Sequence, residues 1–505
     1  MKHIIIVLTC SILLGSITYT KAQSGFVNKY NFGLDGLAFS DMIFQESDNS
    51  LVLYGYGIDT AINQNYGFLM AKIDTNGNLV NYVVHYLDIG QATGYTPTRD
   101  IIRTADGGFA AVGCSFFVNE GVFLKTDQDF SLETLKIYPN LDSLYLYDIQ
   151  YIQPTPDGYF LGGSGGYLDG SVIPFIYKID LDGNLTWQKK YRQSLAQNVG
   201  NDLLRLSDNE YVIAGVTAPL FSGNNTNPYF QGWLIGIDTS GTVLWEWESD
   251  TNSVKFGLTE ILKDGNNGWI AVDNNAEYGN NAYKYKFFGG MLKLNEQKEV
   301  VWETPLGVGQ RWNADGGLED IAPTIDGNWV GVGCLISDSL NARTAWMVAV
   351  SATGDSLWAR TDTLMFNNNI RYRCELNAVV VLPSGSIIAA GRAEIGKYLG
   401  LLVKADPRGC IEPDCHPYSI SGADTPNDIT FHIGPNPTSG LLQVHTGSSI
   451  AFSAELYDGA GRVLAARTVM QSGDTLDISD VPSGQYFVRI KTAGSSTVVH
   501  NVIRI

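Results

Sequence analysis

Asp100-Ile-Ile-Arg-Thr-Ala-Asp-Gly-Gly-Phe-Ala-Ala-Val-Gly113 is an apolar strand, a turn built on Asp and Gly, and a second strand ending in Gly. Phe175-Ile-Tyr-Lys-Ile-Asp-Leu-Asp-Gly-Asn-Leu-Thr-Trp187 supplies the other half of the same unit: a strand closing on Asp, a Gly turn, and a strand carrying Trp. The unit recurs. Its first turn falls at Asp48, Asp106, Asp157, Asp208, Asp264, Asp326 and Ser384, a mean spacing of 56 residues. Its second falls at Asn76-Gly77, Gln128-Asp129, Asp182-Gly183, Ser240-Gly241, Glu296-Gln297, Thr353-Gly354 and Arg408-Gly409. Trp187, Trp245, Trp302 and Trp358 follow at intervals of 58, 57 and 56. Seven marks of each kind predict seven units.

Four short strands per unit match the blade of a β-propeller. Apolar spacing of two, punctuated by Gly, excludes a helical solenoid. A string of sandwiches would need about a hundred residues per unit. The seventh unit lacks its fourth strand, because Leu399 to Ala405 runs into Pro407. Phe26-Val-Asn-Lys-Tyr30 resembles Leu185-Thr-Trp-Gln-Lys-Lys-Tyr191, so residues 26–31 are expected to pair with 399–405 and close the ring. The expected fold class is all-β: a seven-bladed β-propeller followed by a small Ig-like β-sandwich. The Gly-x-x-x-Trp endings resemble blades of quinoprotein-like propellers, which implies tryptophans docked between neighbouring blades. Asp238 to Gly241 is one residue tighter than that family's motif.

The 505 residues are 44% apolar and 17% charged, with a formal charge of −19 and 55 glycines. Such an acidic chain gains nothing from phosphate counterion release, so nucleic acid is not an expected partner. The start is an export signal: basic Met1-Lys2-His3, an apolar run from Ile4 to Ile17, and Thr20-Lys21-Ala22 before a cut at Gln23. Cys10 lies inside the apolar run, so it does not mark a lipoprotein. No later stretch is apolar enough to span a bilayer. The expected division is 1–22 signal peptide, 23–415 propeller closed by its N-terminal strand, 416–427 linker and 428–505 sandwich. Residues 428–505 carry six acidic and five basic side chains, so about −20 of the mature charge falls outside them. Cys410 and Cys415 sit close enough for a disulfide in an oxidising compartment. Cys114 is expected as a buried thiol, and Cys334 and Cys374 as neighbours on one face that could bridge.

The last 78 residues carry Pro435-Asn-Pro437 with Gly440, Tyr457-Asp458 with Gly461 and Arg462, and Ser483-Gly484 with Tyr486. This ordered set resembles the type A C-terminal sorting domain of the type IX (Por) secretion system. The resemblance implies cargo that crosses the outer membrane through this tail and ends on the cell surface or in the medium, with the secretion machinery as partner.

Between Gln23 and Cys415 only His85 occurs, in the outer strand of the first unit, which leaves no multi-His metal site. Hydrolysis through a Ser-His-Asp triad is excluded on the same ground. An acid recurs on the innermost strand at Asp41, Asp100, Asp148, Asp202, Glu260 and Asp320, with Ala378 seventh. Asp148 sits three residues further from its turn than the others. Such a ring either accepts backbone N–H bonds between blades or holds a cation at one channel mouth, and its regular recurrence favours the structural role. Asp180-Leu-Asp182-Gly183-Asn184 and Asp74-Thr-Asn76-Gly77-Asn78 lack the rest of a calcium loop and are assigned as hairpin turns. No metal and no cofactor is expected. The long loops 216–231, 273–288, 304–316 and 361–375 share one face. They carry Tyr229, Tyr283, Tyr285 and Trp312, the expected contacts for polysaccharide or a surface protein. The chain thus reads as an exported binding propeller and leans away from an enzyme. The alternative is a carbohydrate-active hydrolase using a carboxylate pair on that face.

Overall fold

The computed structural model describes residues 25–411 and 431–504, except 62–64, 87–94, 97–99, 116–119, 140–145, 193–195, 220–230, 250–256, 266–267, 279–284, 307–316, 338–341, 363–372, 435–437, 447–451, 458–462 and 493–496. The described residues form seven antiparallel blades. Blade 1 runs through Gly36–Gln45, Ser50–Asp59, Asn65–Asp74 and Leu79–Tyr86, and each strand pairs with the next. The innermost strand of blade 2 is in two pieces, Tyr95–Thr96 and Ile101–Arg103, both on Phe109–Ser115. Blades 3 to 6 begin at Leu146–Thr155, Ala196–Arg205, Gly257–Lys263 and Gly317–Pro323. Blades 3 and 4 touch through one parallel pair, Val172 with Gln197. Blade 7 holds Arg373–Val381, Ile387–Ile395 and Lys397–Ala405, and Phe26–Tyr30 adds its outer strand, with Phe26 opposite Lys404 and Tyr30 opposite Gly400.

Apolar side chains fill the spaces between blades. One cluster joins Val332 and Met347 of blade 6 to Leu376, Ala389 and Leu401 of blade 7, and another joins blade 7 to Leu37, Leu53 and Leu69 of blade 1. Each interface therefore buries one face of two sheets, and no blade has a core of its own.

At the rim, the outer strand of one blade packs beneath the second turn of the next. The ring of Trp187 lies under Gly241, that of Trp302 under Gly354 and that of Trp358 under Gly409. A Cβ at Gly241 would come 2.5 Å from Trp187, and its φ of +73° is one that other residues adopt at a cost. Side chains also tie down the turn carbonyls: Tyr30 donates to Gly77 at 2.8 Å, Tyr138 to Gly183 at 2.8 Å and Tyr191 to Gly241 at 3.0 Å. The tryptophan docking implied by the quinoprotein resemblance is a packing device, seated on glycine.

The C-terminal strands make two sheets, one of Phe431–Gly434, Leu441–Thr446 and Asp474–Asp477, the other of Val463–Met470, Phe452–Tyr457, Gly484–Thr492 and Thr497–Arg504. Leu442, Val444, Leu456, Met470, Val488 and Ile490 form the core between them.

The N-terminal strand removes an edge that would otherwise stay open. Deleting residues 23–33 is expected to lower the melting temperature by well over 5 °C, read by calorimetry. An unchanged transition would show that blade 7 stands without it.

Candidate functional site

Every innermost strand except the divided one of blade 2 carries a bulge at the same place. The register shifts between Phe39 and Asp41, Ile149 and Tyr151, Gly200 and Asp202, Leu258 and Glu260, Leu318 and Asp320, and Leu376 and Ala378. The bulge turns the next side chain along the free edge of the strand, toward the neighbouring blade. Asp41 accepts from its own neighbour Met42 N at 2.6 Å and from Ile101 N of blade 2 at 2.8 Å. Asp100 accepts from Ile152 N of blade 3 at 2.8 Å. Asp202 bonds Leu203 N and Ile261 N at 2.6 and 2.9 Å, and Asp320 bonds Ile321 N and Val379 N, each at 2.6 Å. The acids thus satisfy the edge N–H groups of the next blade. The remaining joins use other groups. Ser164 meets Gly200 N at 2.8 Å, Thr259 donates to Leu318 O at 3.4 Å, and Asn377 closes the ring on Phe39 O at 2.8 Å.

The bulge corrects one position. Tyr151, not Asp148, occupies the repeated place in blade 3, and Asp148 sits three residues earlier, which explains its distance from the turn. Among the described residues no group of three or more His, Cys, Asp or Glu side chains is arranged to hold a metal.

These acids line a central cavity of about 350 Å³. Burial raises Asp41 and Asp320 from 3.8 to about 7, with the charge of Asp320 adding to the effect at Asp41 and those of Asp202 and Asp100 at Asp320. Burial pushes Asp100 and Glu260 well above the usual carboxylate range, and neighbouring carboxylates push the same way. A hydrogen bond links the Asp41 and Asp100 carboxyls.

Two residues before the bulged position, the repeat breaks. The innermost strands there carry Ala38, Asp148, Val199, Gly257, Gly317 and Glu375. Their partners on the second strand are Tyr56, Ser164, Val216, Asn274, Cys334 and Arg392. This layer lies toward the face of the long loops. On blades 7 and 1 it brings Glu375, Arg392 and Tyr56 to the cavity, where Glu319 from the bulge level and Arg343 from the third strand of blade 6 join them. Glu375 bonds the guanidinium of Arg392 at 2.6 Å and that of Arg343 at 3.4 Å. Arg392 also donates to Tyr56 Oη at 3.4 Å and lies 5.4 Å from the ring centre of Tyr398. Glu319 is the one charged residue at a bulged position, where other blades place Ser40, Gln150, Asn201, Thr259 and Asn377. Sequence reasoning missed this cluster. Its signal was present in the register of the repeat, two positions before the recurring acid.

Of the expected contacts, Tyr229, Tyr283 and Trp312 lie outside the described residues, and Tyr285 is described only as the start of the strand Tyr285–Leu294. His85 is in the outer strand of blade 1, half-buried, and burial lowers its pKa. Cys114, Cys334 and Cys374 are buried thiols, so the possible Cys334–Cys374 bridge is absent; burial pushes Cys334 up to about 12. Cys410 is buried, and Cys415 lies outside the described residues, as does the signal segment. In the tail, Pro435, Asn436, Pro437 and Gly461 also lie outside them. Gly440 has a φ of +138° with a Cβ position 2.5 Å from Ser479 Oγ, and Tyr486 is buried with its hydroxyl on Pro482 O at 2.8 Å, while Gly484 is exposed.

Residues 432–504 match the secretion system C-terminal sorting domain family. This tail marks the chain as type IX cargo, exported and then attached to the outer surface or secreted. No helix among the described residues is long and apolar enough to cross a membrane. No curated protein matches the chain. Among solved structures, it is similar to a protein of unknown function from Bacteroides caccae, with 10% identity and a TM-score of 0.29 over 66% of this chain and 84% of that one. It is similar to the β-propeller domain of the Trilobed protease from Pyrococcus furiosus, with 8% identity and a TM-score of 0.40 over 74% and 94%. A third is the α-L-arabinofuranosidase Arb93A of Fusarium graminearum in complex with an iminosugar inhibitor, with 9% identity and a TM-score of 0.39 over 76% and 97%.

The raised carboxyls have a consequence for stability. Well below the ordinary value of 3.8 they are protonated in both folded and unfolded chains. As the pH rises to about 7, the unfolded chain loses these protons first, so stability falls across that window. Glu260→Gln is expected to stabilise the protein progressively more from pH 4.5 to 8 in urea unfolding. A gain that is flat with pH would rule out the buried charge as its cause.

Proposed function

We propose that this exported propeller binds carbohydrate at the long-loop mouth of its channel, between blades 6, 7 and 1. The observation that carries this is the layered channel. One layer joins blades, while the positions beside and above it break the repeat with Tyr56, Glu319, Arg343, Glu375 and Arg392. Residues that depart from a structural repeat are free to serve a ligand. The cavity mixes guanidinium and amide donors with carboxylate acceptors, which suits sugar hydroxyls that donate and accept together. Tyr56, Tyr66 and Tyr398 pack with ring centres 6.0 and 6.3 Å apart beside it, giving an aromatic wall. Tyr229, Tyr283, Tyr285 and Trp312, in the long-loop segments of the sequence, are proposed as further contacts. The sorting residues Pro435, Asn436, Pro437, Gly440, Gly461, Gly484 and Tyr486 are proposed as the positions that the export machinery recognises. A Cys410–Cys415 bridge forms after export, and 416–427 links the two parts.

A second proposal is glycoside hydrolysis, since Glu319 and Glu375 are carboxylates off the repeat in one cavity. A glycan array with the mature chain, followed by calorimetric titration, tests both. Arg392→Ala is expected to weaken saccharide binding at least tenfold while the melting temperature stays within a few degrees. Undiminished affinity in a folded variant would refute the site. Release of reducing ends, lost in Glu319→Gln, would move the protein from binding module to enzyme.

A further inference from the structure

A second pocket, independent of the channel, lies at the rim between blades 4 and 5 on the short-turn face. It has a volume of about 310 Å³ and is walled by Trp245 and Trp269, with Glu210, Glu296, Lys263 and Lys298 around them. It exists because the rim device fails at this join. Where Gly241, Gly354 and Gly409 cover the tryptophan of the preceding blade, the corresponding turn of blade 5 has Lys298, held at a φ of +67°. A lysine in the left-handed region is strained, and such strain persists where the surroundings fix it. With a side chain in place of glycine, the turn cannot lie flat on Trp245.

The space is filled by charge. Lys298 Nζ stands 4.0 Å from the ring centre of Trp245 and 5.9 Å from that of Trp269, within cation–π range of both. The two rings are 6.0 Å apart and tilted by 40°. Glu210 accepts from Trp245 Nε1 at 2.8 Å, which fixes the ring and adds negative charge at its edge. Two tryptophan faces with nearby carboxylates form an aromatic cage, and the group now inside it is an ammonium.

We propose that this cage binds an ammonium group from outside, carried by a choline-type headgroup or by a lysine side chain, in exchange for Lys298. With Lys298 swung out, the walls hold two carboxylates against one ammonium, Lys263, so an incoming cation is favoured. The acidic surface of the protein raises the local cation concentration in the same direction. Lys298 acts as a tethered competitor whose effective concentration is in the millimolar range. Removing it therefore strengthens binding, the opposite of what loss of an ordinary contact does.

The test uses the mature full-length chain and its Lys298→Asn variant, which tolerates the same φ and keeps a side chain to hold the turn off Trp245. Choline chloride and N-acetyl-lysine methylamide are the probes, titrated by calorimetry at low salt. Lys298→Asn is expected to bind at least one probe at least tenfold more tightly than the parent, and adding Trp245→Leu is expected to abolish this. Preference for choline identifies a headgroup source, and preference for the lysine amide identifies a protein source. Should Lys298→Asn fold poorly, Lys298→Gln, which removes the charge at the parent's own backbone cost, replaces it. Absence of saturable heat with both probes in a folded Lys298 variant overturns the proposal, as does binding that survives Trp245→Leu.

Discussion

A propeller's innermost strands each have one edge with no strand beside it, and the N–H groups on that edge need acceptors inside the protein. The bulged strand meets this need by aiming a carboxylate from one blade at the next blade's backbone, as Asp41 does at Ile101 and Asp320 at Val379. The cost is negative charge gathered at the centre, which the channel bears by retaining protons on several of its carboxyls. At the rim the same neighbours are joined again, by a large ring under a glycine turn. Two rings of contacts, one polar and central, one aromatic and peripheral, hold seven sheets that have no individual cores.

The architecture was legible because both rings repeat. Glycine turns, tryptophans and acids recur at nearly constant spacing, and seven blades follow from counting them. The closing strand was legible for the same reason, as Phe26–Tyr30 resembles the outer strand of another blade. The channel site was not. Glu375 and Arg392 are opposite one another across a strand pair, and Arg343 joins from a third strand, so their meeting depends on register rather than on nearness in sequence. Asp148 shows the related error. The repeated place in blade 3 holds Tyr151 instead of an acid, and the only acid on that strand, Asp148, belongs to the next layer up.

The layered channel separates duties by height. At the level of the bulge, Asp41, Asp100, Asp202 and Asp320 each hold the next blade, so replacing one of them would unseat it. One step toward the long loops the units differ: Tyr56, Ser164, Val216, Asn274, Cys334 and Arg392 occupy equivalent places, and Tyr56, Cys334 and Arg392 line the cavity. The type IX tail delivers this surface outside the cell, where binding large external molecules is possible.

Closure by the N-terminal strand also sets a timetable. Phe26 pairs with Lys404, so the first strand made waits for a partner synthesised almost last. At about 5–20 residues per second, that interval is roughly 20 to 75 s. Throughout it, the growing ring is an open arc with an unsatisfied strand at each end. For an exported chain, the ring can close only where both ends are in the same compartment.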